Sequence, residues 1–166
     1  KIWDLAKDFG GNLSDYTVWL LERSMKTLGI RVKAQQRNAK RLAKYLEKHA
    51  AIKTVYYPGL KSSEYHSLAK IQMKGYGAML SFELKDRFDS EKFLKTLTLI
   101  KPSMSLAGVE STMLLPSKTS HSLLSESDQA AQGITDQLIR FSVGIETAKD
   151  LIKDIEQAIS ASNLKK

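Results

Sequence analysis

The 166-residue chain has no cysteine, which removes disulfides and thiolate metal ligation and suits a reducing, cytoplasmic setting. Histidine is nearly as scarce. His49, His66 and His121 lie far apart and follow no ligand spacing, so no metal site is expected. No apolar run approaches the roughly 20 residues that cross a bilayer, and the first residues lack a signal-peptide pattern, so no membrane partner is expected. Internal repeats and low-complexity tracts are missing as well. Gly75-Tyr76-Gly77 lacks the strand-then-helix setting of a phosphate loop and reads as a turn.

What is present is ordinary for a globular domain: 42% hydrophobic and 27% charged residues, at a length that suits one domain with a real core. The net charge of +8 invites a nucleic-acid reading. Most basic residues, however, alternate with acids or line exposed helix faces, as in Glu22-Arg23, Lys40-Arg41, Lys44 and Glu47-Lys48. No Arg-aromatic platform or Gly-rich basic loop accompanies them. Dispersed and screened charge of this kind describes a solvated surface, and no nucleic-acid partner is expected. The chain begins at Lys1 and runs at once into amphipathic Ile2-Trp3-Asp4-Leu5-Ala6, which is expected of a piece of a longer protein.

A turn at Gly10-Gly11 leads to Ser14, a plausible N-cap. Leu21, Met25, Leu28, Val32, Ala39, Leu42 and Leu46 then recur at helical steps, with polar Gln35 filling one slot. A continuous helix from about Tyr16 to Lys48, bent at most at Gly29, would be on the order of 50 Å long. That exceeds what so small a domain can cover, so the surplus suits a connector or a subunit contact. Strands are expected at Thr54–Tyr57, ended by Pro58-Gly59, and at Ala78–Leu84, Thr98–Ile100, Ser111–Leu115 and Leu138–Val143. Helices are expected around Tyr65–Met73, after Asp89, over Ser125–Gln132 before Gly133, and from Thr147 onward, where Thr147 and Asp150 have capping-box spacing. After Ser160 the tail should fray. Helices alternating with the strands of a small sheet, led by one long helix, predict an α/β fold with helices packed on one face.

Two segments carry chemistry. Arg140 sits inside the apolar strand Leu138-Ile139-Arg140-Phe141-Ser142-Val143, where a guanidinium is costly to bury without a partner anion. It is either an anion clamp, an edge-strand arginine, or one paired internally with Glu110 or Glu146. Ser105-Leu106-Ala107-Gly108, after Lys101-Pro102, permits close backbone approach, and its serine can add a hydroxyl or amide contact to a carboxylate. From these residues alone, an ordinary loop leading into the Ser111–Leu115 strand is the favoured reading. His121 suits a structural hydrogen bond, Glu110 a packed loop, and Tyr56-Tyr57 packing.

Taken together, Ser105–Ser111, Pro116 to His121, Gly133 to Glu146 and Asp150 to Ala158 resemble the C-terminal segments of the Cys/Met-metabolism pyridoxal-phosphate (PLP) enzymes. That family comprises cystathionine lyases and synthases and methionine γ-lyase. Gly10-Gly11 to Ser14, Lys26-Thr27-Leu28 with Arg31, Val55 to Leu60 and Gly75 to Glu83 match in the same order. The resemblance covers about residues 1 to 160.

It implies a C-terminal domain with a small mixed, largely antiparallel sheet, joined by the long helix to a large PLP-binding domain. On this reading residues 1–14 are a remnant of the preceding domain, 15–49 the connecting helix, 50–160 the small domain and 161–166 a frayed tail. The resemblance maps substrate α-carboxylate binding to Arg140, a neighbouring contact to Ser105, and a position bordering the substrate side chain to Met104. Met104 departs from the acidic residue of some γ-lyases, and Ala107 replaces the usual glycine. The Schiff-base lysine, the aromatic that stacks on the pyridine ring and the phosphate-binding residues belong to the upstream domain. No catalytic or cofactor-binding residue is therefore assigned here, and the fragment alone should be inactive without bound PLP. The whole protein is expected to act on cystathionine or a related thioether amino acid and to form homo-oligomers. Cystathionine β-lyase comes first, then γ-synthase, γ-lyase or methionine γ-lyase. A free-standing, non-catalytic α/β binding or regulatory domain is the alternative of another class.

Overall fold

The computed structural model describes residues 1–10 and 13–164. The chain forms two compact units, Lys1–Arg31 and Val32–Lys166. The first holds helix α1 (Ile2–Phe9), α2 (Asp15–Met25) and the opening of α3 (Leu28–Glu47). Of the Gly10-Gly11 turn, Gly10 has φ 78°, and Gly11 lies outside the described residues. Ser14 caps α2 as expected, its hydroxyl accepting from the Thr17 N–H at 3.3 Å.

The stripe expected as one long helix is two. The break falls at Lys26-Thr27, while Gly29 sits inside α3. Side chains take over the Ser24 carbonyl here: Arg31 Nη2 donates to it at 2.8 Å and Thr27 Oγ1 at 3.4 Å. A hydroxyl and a guanidinium competing for a helical carbonyl end the helix that the apolar spacing would continue. No residue of α2 is buried, although Val18, Trp19, Leu20, Leu21 and Met25 are apolar.

The second unit is built on a five-stranded sheet of order β1-β2-β5-β4-β3. Its strands are β1 (Ile52–Tyr56), β2 (Met79–Leu84), β3 (Lys101–Pro102), β4 (Thr112–Leu114) and β5 (Leu138–Ser142). Every pairing is antiparallel except the parallel β3–β4, so the sheet is mixed and largely antiparallel. Strand side chains alternate between faces. Leu80, Phe82 and Leu84 of β2 and Ile139 and Phe141 of β5 bury one face. Against it lie Ala39, Leu42, Ala43 and Leu46 of α3, Phe93 and Leu94 of α5 (Ser90–Thr96), and Leu151, Ile155 and Ala158 of α7 (Ala148–Ser162). Each fully buried aliphatic or aromatic side chain contributes about 1.5–3 kcal/mol, and these residues form the core. The expected α/β class, with helices packed on one face, holds. The two shorter helices are α4 (His66–Gln72) and α6 (Glu126–Ala131); Ser125 caps α6 and Gly133 follows it at φ 70°.

Three local expectations are corrected. Thr98–Ile100 is not a strand. The backbone N–H groups of Thr98, Leu99 and Ile100 all donate to the buried Asp154 carboxylate, at 2.8, 3.0 and 2.8 Å, and the strand starts only at Lys101. The Thr147 hydroxyl bonds the Asp150 side chain but caps no backbone N–H, so the capping box is not made. The tail is not frayed through Leu164. Ser162 is buried, its carbonyl accepts from the Asp89 N–H at 2.9 Å, and Leu164 donates to the Arg87 carbonyl at 2.9 Å. Lys165 and Lys166 lie outside the described residues. No helix among the described residues is long and apolar enough to cross a membrane.

Candidate functional site

The alternation that sends Ile139 and Phe141 into the core sends Arg140 to the opposite face of β5. There the register sets it between Ser81 of β2 and Leu114 of β4. Arg140 is half-buried. Its Nη2 donates to the carbonyl oxygen of Met104 at 3.2 Å, and it makes no ion pair among the described residues. Internal pairing with Glu110 or Glu146, one of the readings open from sequence, does not occur. A guanidinium offers five N–H donors in a planar fork, so most of this one's capacity is left over.

The structure brings Arg140 and the Met104-Ser105 segment together. Thr112 Oγ1 donates to the Ser105 carbonyl at 2.8 Å, the Ser105 N–H donates to Ser103 Oγ at 3.3 Å, and the Ala107 N–H donates to Ser142 Oγ at 3.1 Å. The loop is thereby tied to β4 and β5. Ala107 adopts φ 58°, the left-handed region that favours glycine. Met104 is 63% exposed and Ser105 is exposed, so both are presented rather than packed. Met104 also lines an apolar cavity of about 410 Å³ together with Pro102, Ser103, Met113, Leu114 and Leu115.

Behind the loop lies a buried polar network that sequence reasoning missed. The Glu146 carboxylate accepts from Ser111 twice, from its N–H at 2.6 Å and from its hydroxyl at 2.8 Å. That hydroxyl in turn accepts from the Gly144 N–H at 2.9 Å. Two amides of α3 reach the same place. Asn38 Nδ2 donates to the carbonyls of Gly144 and Glu146 at 3.1 and 2.7 Å, and Gln35 Nε2 donates to that of Gly108 at 2.7 Å. Gly144 is required by this closeness, because a Cβ there would meet the Val109 carbonyl oxygen at 2.3 Å and the Ser111 nitrogen at 2.6 Å. The signal in the sequence was faint: two amides on the apolar stripe of a helix, of which Gln35 reads as a mere interruption.

The other conspicuous side chains have structural partners. The His121 ring bonds the Ser120 hydroxyl, and its carbonyl accepts from Gln129 at 2.9 Å. Tyr57 donates to the Gly77 carbonyl at 3.1 Å, and burial, helped by neighbouring Tyr76, pushes its hydroxyl up to about 12. The Tyr56 hydroxyl donates to Glu83 at 2.8 Å. Every described lysine is exposed. None has the desolvated, aromatic-lined surroundings that a Schiff-base lysine needs, so the described residues do not fit covalent attachment of PLP. What the arrangement can do is hold an anion against Arg140 at the surface of the sheet.

Comparison with known proteins identifies the family of the chain. The family model described as "Cys/Met metabolism PLP-dependent enzyme" matches residues 1–160. The chain is 43% identical over 150 residues to a cystathionine gamma-lyase of Bacillus subtilis, covering 90% of this chain and 40% of that one. It is 39% identical over 159 residues to a cystathionine beta-lyase of Lactococcus lactis, covering 96% of this chain and 42% of that one. Among solved structures, the cystathionine gamma-lyase of Lactobacillus plantarum complexed with L-serine superposes with a TM-score of 0.88 at 38% identity, over 93% of this chain and 40% of that one. The chain thus spans about two fifths of the length of the relatives it matches. With a match over nearly its whole length, the chain belongs to the Cys/Met-metabolism family of PLP-dependent enzymes.

Proposed function

We propose that this chain is the substrate-carboxylate-binding, C-terminal domain of a PLP-dependent carbon–sulfur lyase that cleaves cystathionine in the β direction. The observation that carries this reading is Arg140, half-buried beside the exposed Met104-Ser105 segment and held by a single carbonyl with no counter-anion. An incoming α-carboxylate takes two parallel N–H···O bonds from the fork, a geometry lysine cannot supply. Ser105 adds a polar contact at the same end. Met104 borders the substrate side chain, and its thioether suits an apolar, sulfur-containing chain. The solved relative bound to L-serine holds a ligand with the same amino-acid head.

PLP, anchored by the preceding domain, would supply the electron sink for bond cleavage. This chain's contribution is to fix the carboxylate so that the reacting bonds are held in one orientation, which lowers the entropic part of the barrier. The exposed apolar residues of α1 and α2 would serve contact with that domain or with further subunits of a homo-oligomer in the cytoplasm.

Cleavage in the γ direction is the second reading, favoured by the 43% identity to a cystathionine gamma-lyase. Apolar Met104, in place of an acidic residue, favours β. Incubating the intact enzyme with cystathionine separates the two. Pyruvate with homocysteine is expected, 2-oxobutyrate with cysteine establishes the γ reading, and release of neither oxo acid overturns both.

A further inference from the structure

We infer that Gln35 and Asn38 of helix α3 are positioning residues for the carboxylate clamp, acting through the two backbone segments that set where Arg140 is presented. The inference rests on the carboxylate-binding reading above and names residues which that reading does not use.

The two amides stand at i and i+3 on one face of α3 and are only 5% and 7% exposed. An amide at such a site costs free energy unless its donors are satisfied. Both are satisfied by loop carbonyls rather than by regular structure. Gln35 fastens Gly108, just past Met104-Ser105. Asn38 Nδ2 donates to Gly144 and Glu146, just past the end of the Arg140 strand. These two fastened segments are then joined to each other. Ser111 bridges Glu146 and Gly144, and the Ile145 N–H donates to the Val109 carbonyl at 2.9 Å.

The result is a short continuous path. It runs from α3 to Gly108, through the loop to the Met104 carbonyl, and from there to the guanidinium at 3.2 Å. Without the helix amides the loop keeps its fold but loses the fastening that holds the Met104 carbonyl opposite Arg140. A hydrophobic residue at position 35 or 38 would leave these loop carbonyls without their amide donors. The choice of amides is explained by the loop carbonyls they meet.

The test is steady-state kinetics of the intact enzyme carrying Asn38→Leu or Gln35→Met, each alone and combined with Arg140→Met. Each single substitution is expected to raise KM for the amino-acid substrate about tenfold, the loss of one net hydrogen bond's worth of positioning, with kcat held within about threefold. Inhibition by the corresponding amine without the α-carboxylate should be unchanged. In the Arg140→Met background the same substitutions should add nothing, because residues acting through one group are not additive. Equal losses in both backgrounds, or an equal effect on the amine, would mark a merely structural role and overturn the inference, as would an unchanged KM. Should Asn38→Leu lose its folded transition, Gln35→Met, which removes one bond to one carbonyl, decides the matter. If Arg140→Met itself leaves KM unchanged, the carboxylate reading falls and the inference with it. If Arg140→Met raises KM but neither helix variant does, the inference alone falls.

Discussion

Two charged side chains of this fold, the buried Asp154 and the half-buried Arg140, are provisioned in opposite ways. The Asp154 carboxylate, 4% exposed, accepts from the backbone of Thr98, Leu99 and Ile100, from the Thr98 hydroxyl and from Gln157. The Arg140 guanidinium has one carbonyl. Burial alone would push the Asp154 carboxyl up, but the surrounding N–H and O–H donors more than offset it and hold the group below its ordinary 3.8. A saturated charge has become part of the architecture: it replaces a strand with a bend and ties α7 to the sheet's edge. An unsaturated one retains capacity for a ligand. Counting satisfied donors and acceptors separates the two roles.

The sharpest way to break this contrast is to remove the carboxylate. Asp154→Ala leaves several part-buried N–H groups without an acceptor and is expected to cost about 3 kcal/mol, read from the denaturant midpoint. A loss under about 1 kcal/mol would erase the distinction. Next is the crowding beyond the end of the Arg140 strand. Gly144→Ala forces a Cβ against the Val109 carbonyl and the Ser111 nitrogen, at an expected cost of about 2 kcal/mol from backbone displacement. Acid titration should then show the sign of the Asp154 contribution. Its folded-state value is depressed, so its stabilisation is complete above 3.8 and lost as pH falls through the lower folded value. Wild type and Asp154→Asn should therefore converge in stability only below that range, and convergence near neutral pH would contradict the assignment. The smallest effect concerns the loop: Ala107→Gly relieves the left-handed backbone and should gain about 0.5 kcal/mol.

Much of the fold is legible in the sequence where one residue's chemistry acts locally. Ser14, Asp89 and Ser125 cap the helices their spacing announces, and Pro58-Gly59 turns the chain, with the Leu60 N–H closing on the Tyr57 carbonyl at 3.1 Å. The alternation of Leu138 to Ser142 gives both the strand and the face from which Arg140 projects. What escapes is decided by partners distant in sequence. Thr98–Ile100 has the composition of a strand until Asp154, more than fifty residues later, claims its N–H groups. The long apolar stripe gives no sign that Arg31 and Thr27 will take the Ser24 carbonyl. The site divides in the same way. Arg140, Ser105 and Met104 stand out through their motifs, whereas Gln35, Asn38 and the Ser111–Glu146 pair become visible only once three separate segments meet.

The central claim is that the guanidinium at position 140 is held ready for an anion rather than built into the fold. The most direct test is Arg140→Met in the intact enzyme, with thermal stability and KM for cystathionine measured on the same preparation. The expected result is stability within about 0.5 kcal/mol of wild type and a KM raised about a hundredfold, the loss of a bidentate charge-assisted contact. An unchanged KM, or a loss of stability as large as that of Asp154→Ala, would contradict it.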